Sequence, residues 1–152
     1  MHPLFVRLAL FALIPMLAHC VAWGQQSSAQ ATTQTTTQTI AHASTVAQAW
    51  LADIDGDQYS KSWDKAASPF QSQISKAQWE VQMIRIRGLL GAATKRKLVS
   101  ANLRHQLPGM PDGNYVVLLY QTTFEHKANG SETITPMLDQ DGKWKVAGYL
   151  IR

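Results

Sequence analysis

Residues 114–138 read NYVVLLYQTTFEHKANGSETITPML. From Asn114 to Lys127 the run is dominated by β-branched, aromatic and aliphatic residues, the types that suit a pleated, half-buried surface. Alternation puts Val116, Leu118, Tyr120 and Phe124 on one face and Tyr115, Val117 and Leu119 on the other. Asn129-Gly130 is a two-residue hairpin signal, since both residue types tolerate positive φ. A further strand is predicted from Glu132 to Asp139, then a tight turn at Asp141-Gly142 and a last strand from Lys143 to Ile151. Pro136 cannot donate to a ladder, so a bulge is predicted there. Upstream, Val99, Ala101, Leu103 and Leu107 alternate with polar neighbours before a turn spanning Leu107 to Gly113. The pattern is a four-stranded antiparallel meander.

Before it the period is helical. Ile40, Ala43, Ala47, Trp50, Leu51 and Ile54 share one face at steps of three and four. Asp55-Gly56-Asp57 interrupts the pattern, which resumes with Tyr59, Trp63, Ala66, Ala67 and Phe70. Pro69 disfavours helix at Ser68 and predicts a break there. Ser75 to Gln78 fits a capping box, opening a third helix with Trp79, Met83, Ile86 and Leu90 on its stripe and Gly91 at its stop. Three helices followed by an antiparallel sheet make an α+β domain over residues 40–152. Trp50, Trp63, Trp79 and Trp144 are expected in its core.

The chain has 152 residues, enough for one domain, and a mild net charge of +4 that does not imply nucleic acid. Its N-terminus carries Arg7, an apolar run from Leu8 to Ala18, and the small residues Ala22 and Gly24. The run falls short of the roughly 20 residues a membrane span needs. It reads as an export signal, residues 1–24, cut after Gly24, with periplasmic or secreted destination. The alternatives are an uncleaved anchor or lipidation at Cys20, where His19 spoils the lipobox; either would tether the protein to a membrane. Cys20 is the only cysteine, so the mature protein is expected to lack disulfides and thiolate metal sites. Residues 25–39 are uncharged and rich in Gln and Thr, and are read as a disordered linker, either a spacer or a leader without a role.

Few residues advertise chemistry. DIDGDQYSKSWD, Asp53 to Asp64, has acids at the first, third and fifth positions of a calcium loop. Its glycine is misplaced, Lys61 stands where a ligand belongs, and Asp64 replaces the closing Glu. It is read as an inter-helix turn, with Gly56 supplying unusual backbone angles and Asp57 capping the next helix. No metal or other cofactor is expected. Lys95, Arg96 and Lys97 form a basic patch, read as a solvated strand edge or a contact for lipid headgroups or an acidic partner. His105 falls on the apolar face of the first strand; no His pair or nucleophile motif accompanies it.

The segments AWLADIDGDQYSKSWDKAASPFQ, QWEVQMIRIRGLLG, RKL, LPGMPDGNYVVLLYQTTFEHK and ETITPMLDQDGKWKVAGYLIR, spread over Ala49 to Arg152, resemble the exported bacterial domain of unknown function 4019 family. The resemblance implies a cone of the nuclear-transport-factor-2-like (cystatin-like) kind, three N-terminal helices closing on a curved four-stranded antiparallel sheet. That superfamily usually adds a short strand between its helices, which is absent from this reading. It holds isomerases, dehydratases, ligand binders and dimerisation modules, so it selects no function. A pocket in such a cone would be reached by Tyr59, Trp63, Arg87, Tyr120, Glu132 and Tyr149, with Arg87 and Glu132 as a charged pair. Two functions follow as expectations. One is a non-catalytic module binding a small ligand or an envelope protein, dimeric through its sheet. The other is a small-pocket isomerase or hydrolase with Glu132 or His105 as base.

Overall fold

The computed structural model describes residues 23–152. Apart from Trp23 and Gly24, the export signal lies outside the described residues, and so does Cys20. Four helices precede four strands: α1 (Trp23–Asp55), α2 (Tyr59–Asp64), α3 (Ser68–Gln73), α4 (Lys76–Leu90), β1 (Ala93–Arg104), β2 (Tyr115–Phe124), β3 (Lys127–Leu138) and β4 (Trp144–Ile151). The strands form one antiparallel sheet in the order β1-β2-β3-β4. The class is α+β, and the described residues hold four helices, because the segment read as one second helix breaks before Pro69 into α2 and α3.

The stripe from Ala43 to Ile54 is buried as its spacing required. Upstream, the Gln/Thr segment read as a linker is instead the N-terminal part of α1. Extending an existing helix adds one hydrogen bond per residue ordered, without a new nucleation cost. Thr35 and Thr37 also donate their hydroxyls to the carbonyls of Ala31 and Thr33, each at 2.9 Å, so these polar groups are satisfied within the helix.

The junction after α1 corrects a second expectation. The left-handed residue is Asp57, at φ 56°, not Gly56, and the N-cap of α2 is Gln58, without a side-chain cap. Each acid of the stretch has its own partner: Asp53 meets Lys61 at 2.9 Å and Lys65 at 2.6 Å, Asp55 meets Arg96 at 2.8 Å and Arg87 at 3.1 Å, Asp57 accepts from the Tyr59 hydroxyl, and Asp64 meets Lys76 at 2.7 Å. Four acids turned to four neighbourhoods do not converge on an ion. The capping box of α4 forms as read, and Gly91 ends the helix at φ 74°.

The sheet contains a register shift in every ladder, one of them between Thr135 and Pro136 where the proline demanded it. Val99, expected on the core face of β1, is 58 % exposed at the shift between Leu98 and Ser100. The hairpin does not turn at Asn129-Gly130. Phe124 pairs with Lys127, so Glu125 and His126 form the turn and Gly130 lies inside β3 opposite Thr122. The glycine is needed for space: a Cβ there would sit 2.8 Å from the Phe124 ring. The turn is held from outside, with the amides of Glu125 and His126 donating to the carbonyls of Ala92 and Leu90.

Helices and sheet enclose an aromatic core. Trp50 lies 5.2 Å from Tyr149 and 5.8 Å from Trp79, which in turn lies 5.0 Å from Phe70, mostly edge to face. Buried Ser62 serves both indoles: its carbonyl accepts from Trp50 Nε1 at 2.8 Å and its hydroxyl from Trp79 Nε1 at 2.9 Å. Trp63 and Trp144 are half-buried at the margin of this core. Asp139 fastens the N-terminus of α3 to the β3–β4 turn. It accepts from the Ser68 amide and hydroxyl, from the Gln140 amide and from Lys145. Burial opposes its charge, but these donors outweigh that and hold its pKa at about 2.

Since that folded pKa lies below the unfolded value, the stabilisation is complete above about pH 4 and is lost as pH falls through about 2; it amounts to roughly 2–3 kcal/mol. Asp139→Asn is therefore expected to lower stability by that amount at neutral pH. The gap to wild type should narrow between about pH 4 and 2 in urea unfolding curves.

Candidate functional site

Across the core face of the sheet, Arg96 of β1 stands opposite Thr122 of β2, and Tyr120 stands opposite Glu132 of β3. Tyr149 of β4 occupies the next position along. The alternation of β1 turns Lys95 and Lys97 outward to solvent and Arg96 inward. The basic patch is thus two exposed edge lysines and one arginine that belongs to the interior.

Glu132 is the centre of the interior. Its side chain is fully buried, and four donors fill its two oxygens. Arg96 Nε reaches Oε2 at 2.6 Å and Arg96 Nη2 reaches Oε1 at 3.1 Å. The Thr122 hydroxyl donates to Oε2 at 2.6 Å and the Tyr149 hydroxyl to Oε1 at 2.5 Å. Arg96 also pairs with Asp55, Nη1 to Oδ2 at 2.8 Å, and Asp55 receives Arg87 Nη2 at 3.1 Å. The result is an alternating row, Arg87–Asp55–Arg96–Glu132, with equal numbers of each sign. Burial alone would depress the Arg96 pKa, but the bonds to Asp55 and Glu132 outweigh it and raise it above the usual range. Burial, then the Glu132 charge, raises the Tyr149 phenol far above its ordinary value, so it remains a donor.

The expected pocket residues divide. Glu132 and Tyr149 touch, and Tyr120 lies buried beside them. Arg87 is buried but pairs with Asp55, not with Glu132; Arg96 takes that place because it lies on the sheet itself. The Arg87 guanidinium stacks 5.4 Å over the Phe124 ring. Tyr59 is buried in the core and its hydroxyl donates to Asp57; burial together with that carboxylate pushes its pKa up to about 12. Trp63 donates its indole N–H to the Ile74 carbonyl at 2.8 Å and braces α2 against the α3–α4 connection. His105 is exposed at the far end of β1, next to the turn after it, and joins none of these groups. Arg96, Asp55 and Thr122 complete the site unforeseen. The signal for Arg96 was present in the alternation of β1; Asp55 had been read only as part of a turn.

Outside the row, a depression of 660 Å³ opens between the α1–α2 junction and α4, lined in part by Asp55, Asp57, Tyr59, Glu80 and Arg87. A second hollow of 410 Å³, between α4 and β4, has Trp79, Met83, Leu90, Tyr149 and Ile151 in its walls. Among the described residues, no group of three His, Cys, Asp or Glu side chains is placed to hold a metal ion, and no helix is long and apolar enough to cross a membrane.

Glu132→Ala would leave the row with two cations to one anion and strip the Thr122 and Tyr149 hydroxyls of their acceptor, and a loss of about 3–5 kcal/mol is expected in chemical unfolding. Glu132→Gln, which still accepts from Thr122 and Tyr149, is expected to cost less.

No curated protein and no solved structure matches the chain. Residues 46–149 match a family described as protein of unknown function (DUF4019), and the chain belongs to that family.

Proposed function

We propose that this protein is an exported, non-catalytic binding or interaction module of the cell envelope. One observation carries the non-catalytic reading: Glu132, the interior carboxylate beneath the aromatic core, has no exposed surface and no free acceptor position. A general base must come within hydrogen-bond reach of a substrate proton. Glu132 meets protein donors instead, and the side chain of His105, the other candidate base, makes no hydrogen bond or ion pair among the described residues, although Asp112 lines the same shallow hollow. The charges of the interior are consistent with a framework that holds surfaces in place.

Support for export comes from the apolar run Leu8–Ala18 and the small residues before Gln25. The helices set against an antiparallel sheet, with a register shift in each of its ladders, favour the nuclear-transport-factor-2-like cone implied by the sequence resemblance. The apolar hollow between α4 and β4 is the candidate seat for a small ligand, while Lys95 and Lys97 guard the β1 edge. The outer face of the sheet, first candidate for a second copy, presents Val117 and Leu119 half-buried among Ser100, Asn102, Gln121, Thr133 and Thr135. The more exposed large apolar side chains lie on α4.

Accessibility of Glu132 tests the reading. Native protein treated with a water-soluble carbodiimide and an amine is expected to label Glu80 and to leave Glu132 unlabelled until the chain unfolds, as read by peptide mass spectrometry. Rapid native labelling of Glu132, or an ester-cleaving or proton-transfer activity abolished by Glu132→Gln in a variant that keeps its fold, would overturn it.

A further inference from the structure

A helix on a protein surface normally turns a polar face to water. α4 does not. Its inner side buries Trp79, Met83 and Arg87, yet Val81 is 67 % exposed on the opposite side and Ile84 63 % exposed beside the 660 Å³ depression. Ala77, Val81, Ile84 and Gly88 follow one another at steps of four, three and four, the spacing of the a and d positions of a heptad seam. A Cβ added at Gly88 would meet nothing within 4 Å, so the end of the seam is unobstructed.

Two charges flank this seam, Glu80 on one side and Arg85 on the other, at the g and e positions of the same heptad register. Other ionic side chains nearby are already engaged: Lys76 with Asp64, Arg87 with Asp55. Among the described residues, the side chains of Glu80 and Arg85 make no ion pair or hydrogen bond. A g residue in one helix of a parallel pair faces the e residue five positions further along in its partner, and Arg85 is five positions beyond Glu80.

We infer that α4 is the interface with a second copy of this chain, the two α4 helices packing in parallel about a twofold axis. Val81 meets Val81 of the partner subunit and Ile84 meets Ile84 of the partner subunit, while Ala77 and Gly88 let the helices approach closely. Glu80 pairs with the partner's Arg85, and by symmetry Arg85 pairs with the partner's Glu80, so the contact is isologous. A seam of this length buries less than the roughly 1,200 Å² typical of stable complexes, so the dimer is a weak one, with dissociation in the micromolar range. This interface goes beyond the non-catalytic reading and does not depend on it.

Sedimentation velocity of the purified protein over a concentration series tests it. Reversible dimerisation is expected, with Ile84→Glu weakening it roughly a hundredfold or more by placing carboxylates in the seam. Glu80→Arg and Arg85→Glu, each alone, set like charges face to face and are expected to weaken association about tenfold. An equimolar mixture of these two single variants brings opposite signs together on both flanks and is expected to recover wild-type affinity as a heterodimer. The charge substitutions lie outside the core and are expected to leave thermal unfolding unchanged, so they decide the matter even if Ile84→Glu fails to fold. A wild-type monomer at millimolar concentration overturns the interface. So does a dimer indifferent to these substitutions, which would place association on another face such as the sheet. Failure of the mixture to recover affinity overturns the parallel arrangement.

Discussion

The row Arg87–Asp55–Arg96–Glu132 is the interaction on which the arrangement of this domain depends. It joins α4, the last residue of α1, an edge strand and an inner strand of the sheet. Glu132 is fully buried and Arg87 nearly so, and a buried charge is tolerable only when paired and hydrogen-bonded. Each member of the row therefore fixes the distance between two elements. Such a row adds little net stability compared with well-packed apolar residues, but any arrangement that separates the partners is penalised heavily.

The aromatic cluster complements this polar constraint. Tyr149 belongs to both systems, packing edge to face against Trp50 and Trp79 with its ring and donating to Glu132 with its hydroxyl. Ser62 explains why so short an element as α2 occupies a fixed place. One small residue answers two buried indole N–H groups that would otherwise remain unsatisfied. Larger side chains at that position would keep the carbonyl acceptor and lose the hydroxyl.

The sequence made the architecture legible through its two periods. The buried face of α1 from Ala43 onward, the capping box at Ser75 and the irregularity at Pro136 each follow from a local rule and appear where that rule puts them. Local rules failed where a distant contact decided. Asn129-Gly130 has hairpin chemistry, but the Phe124 ring claims the space over Gly130, so the turn lies at Glu125-His126. The Gln/Thr segment lacks large apolar residues, yet it continues a helix already formed by the residues after it. The interior row was half legible. Glu132 and Arg87 were recognisable as ionic residues among apolar ones, but pairing depends on the strand register, which sequence spacing alone does not reveal. Arg96 was concealed by its neighbours, since Lys95-Arg96-Lys97 reads as one surface cluster until the pleat separates its members.

The charge row also constrains the order of assembly. The sheet is a meander in which every strand pairs with its chain neighbour, so its ladders close through short loops. The ionic contacts span much longer stretches: 32 residues from Asp55 to Arg87, 41 from Asp55 to Arg96 and 36 from Arg96 to Glu132. A collapse that covered Glu132 before β1 arrived would trap an uncompensated carboxylate. The transition state of folding should therefore contain the paired β1, β2 and β3, with Arg96 already beside Glu132. Docking of the α1 end then follows, once there is a cation for Asp55 to meet.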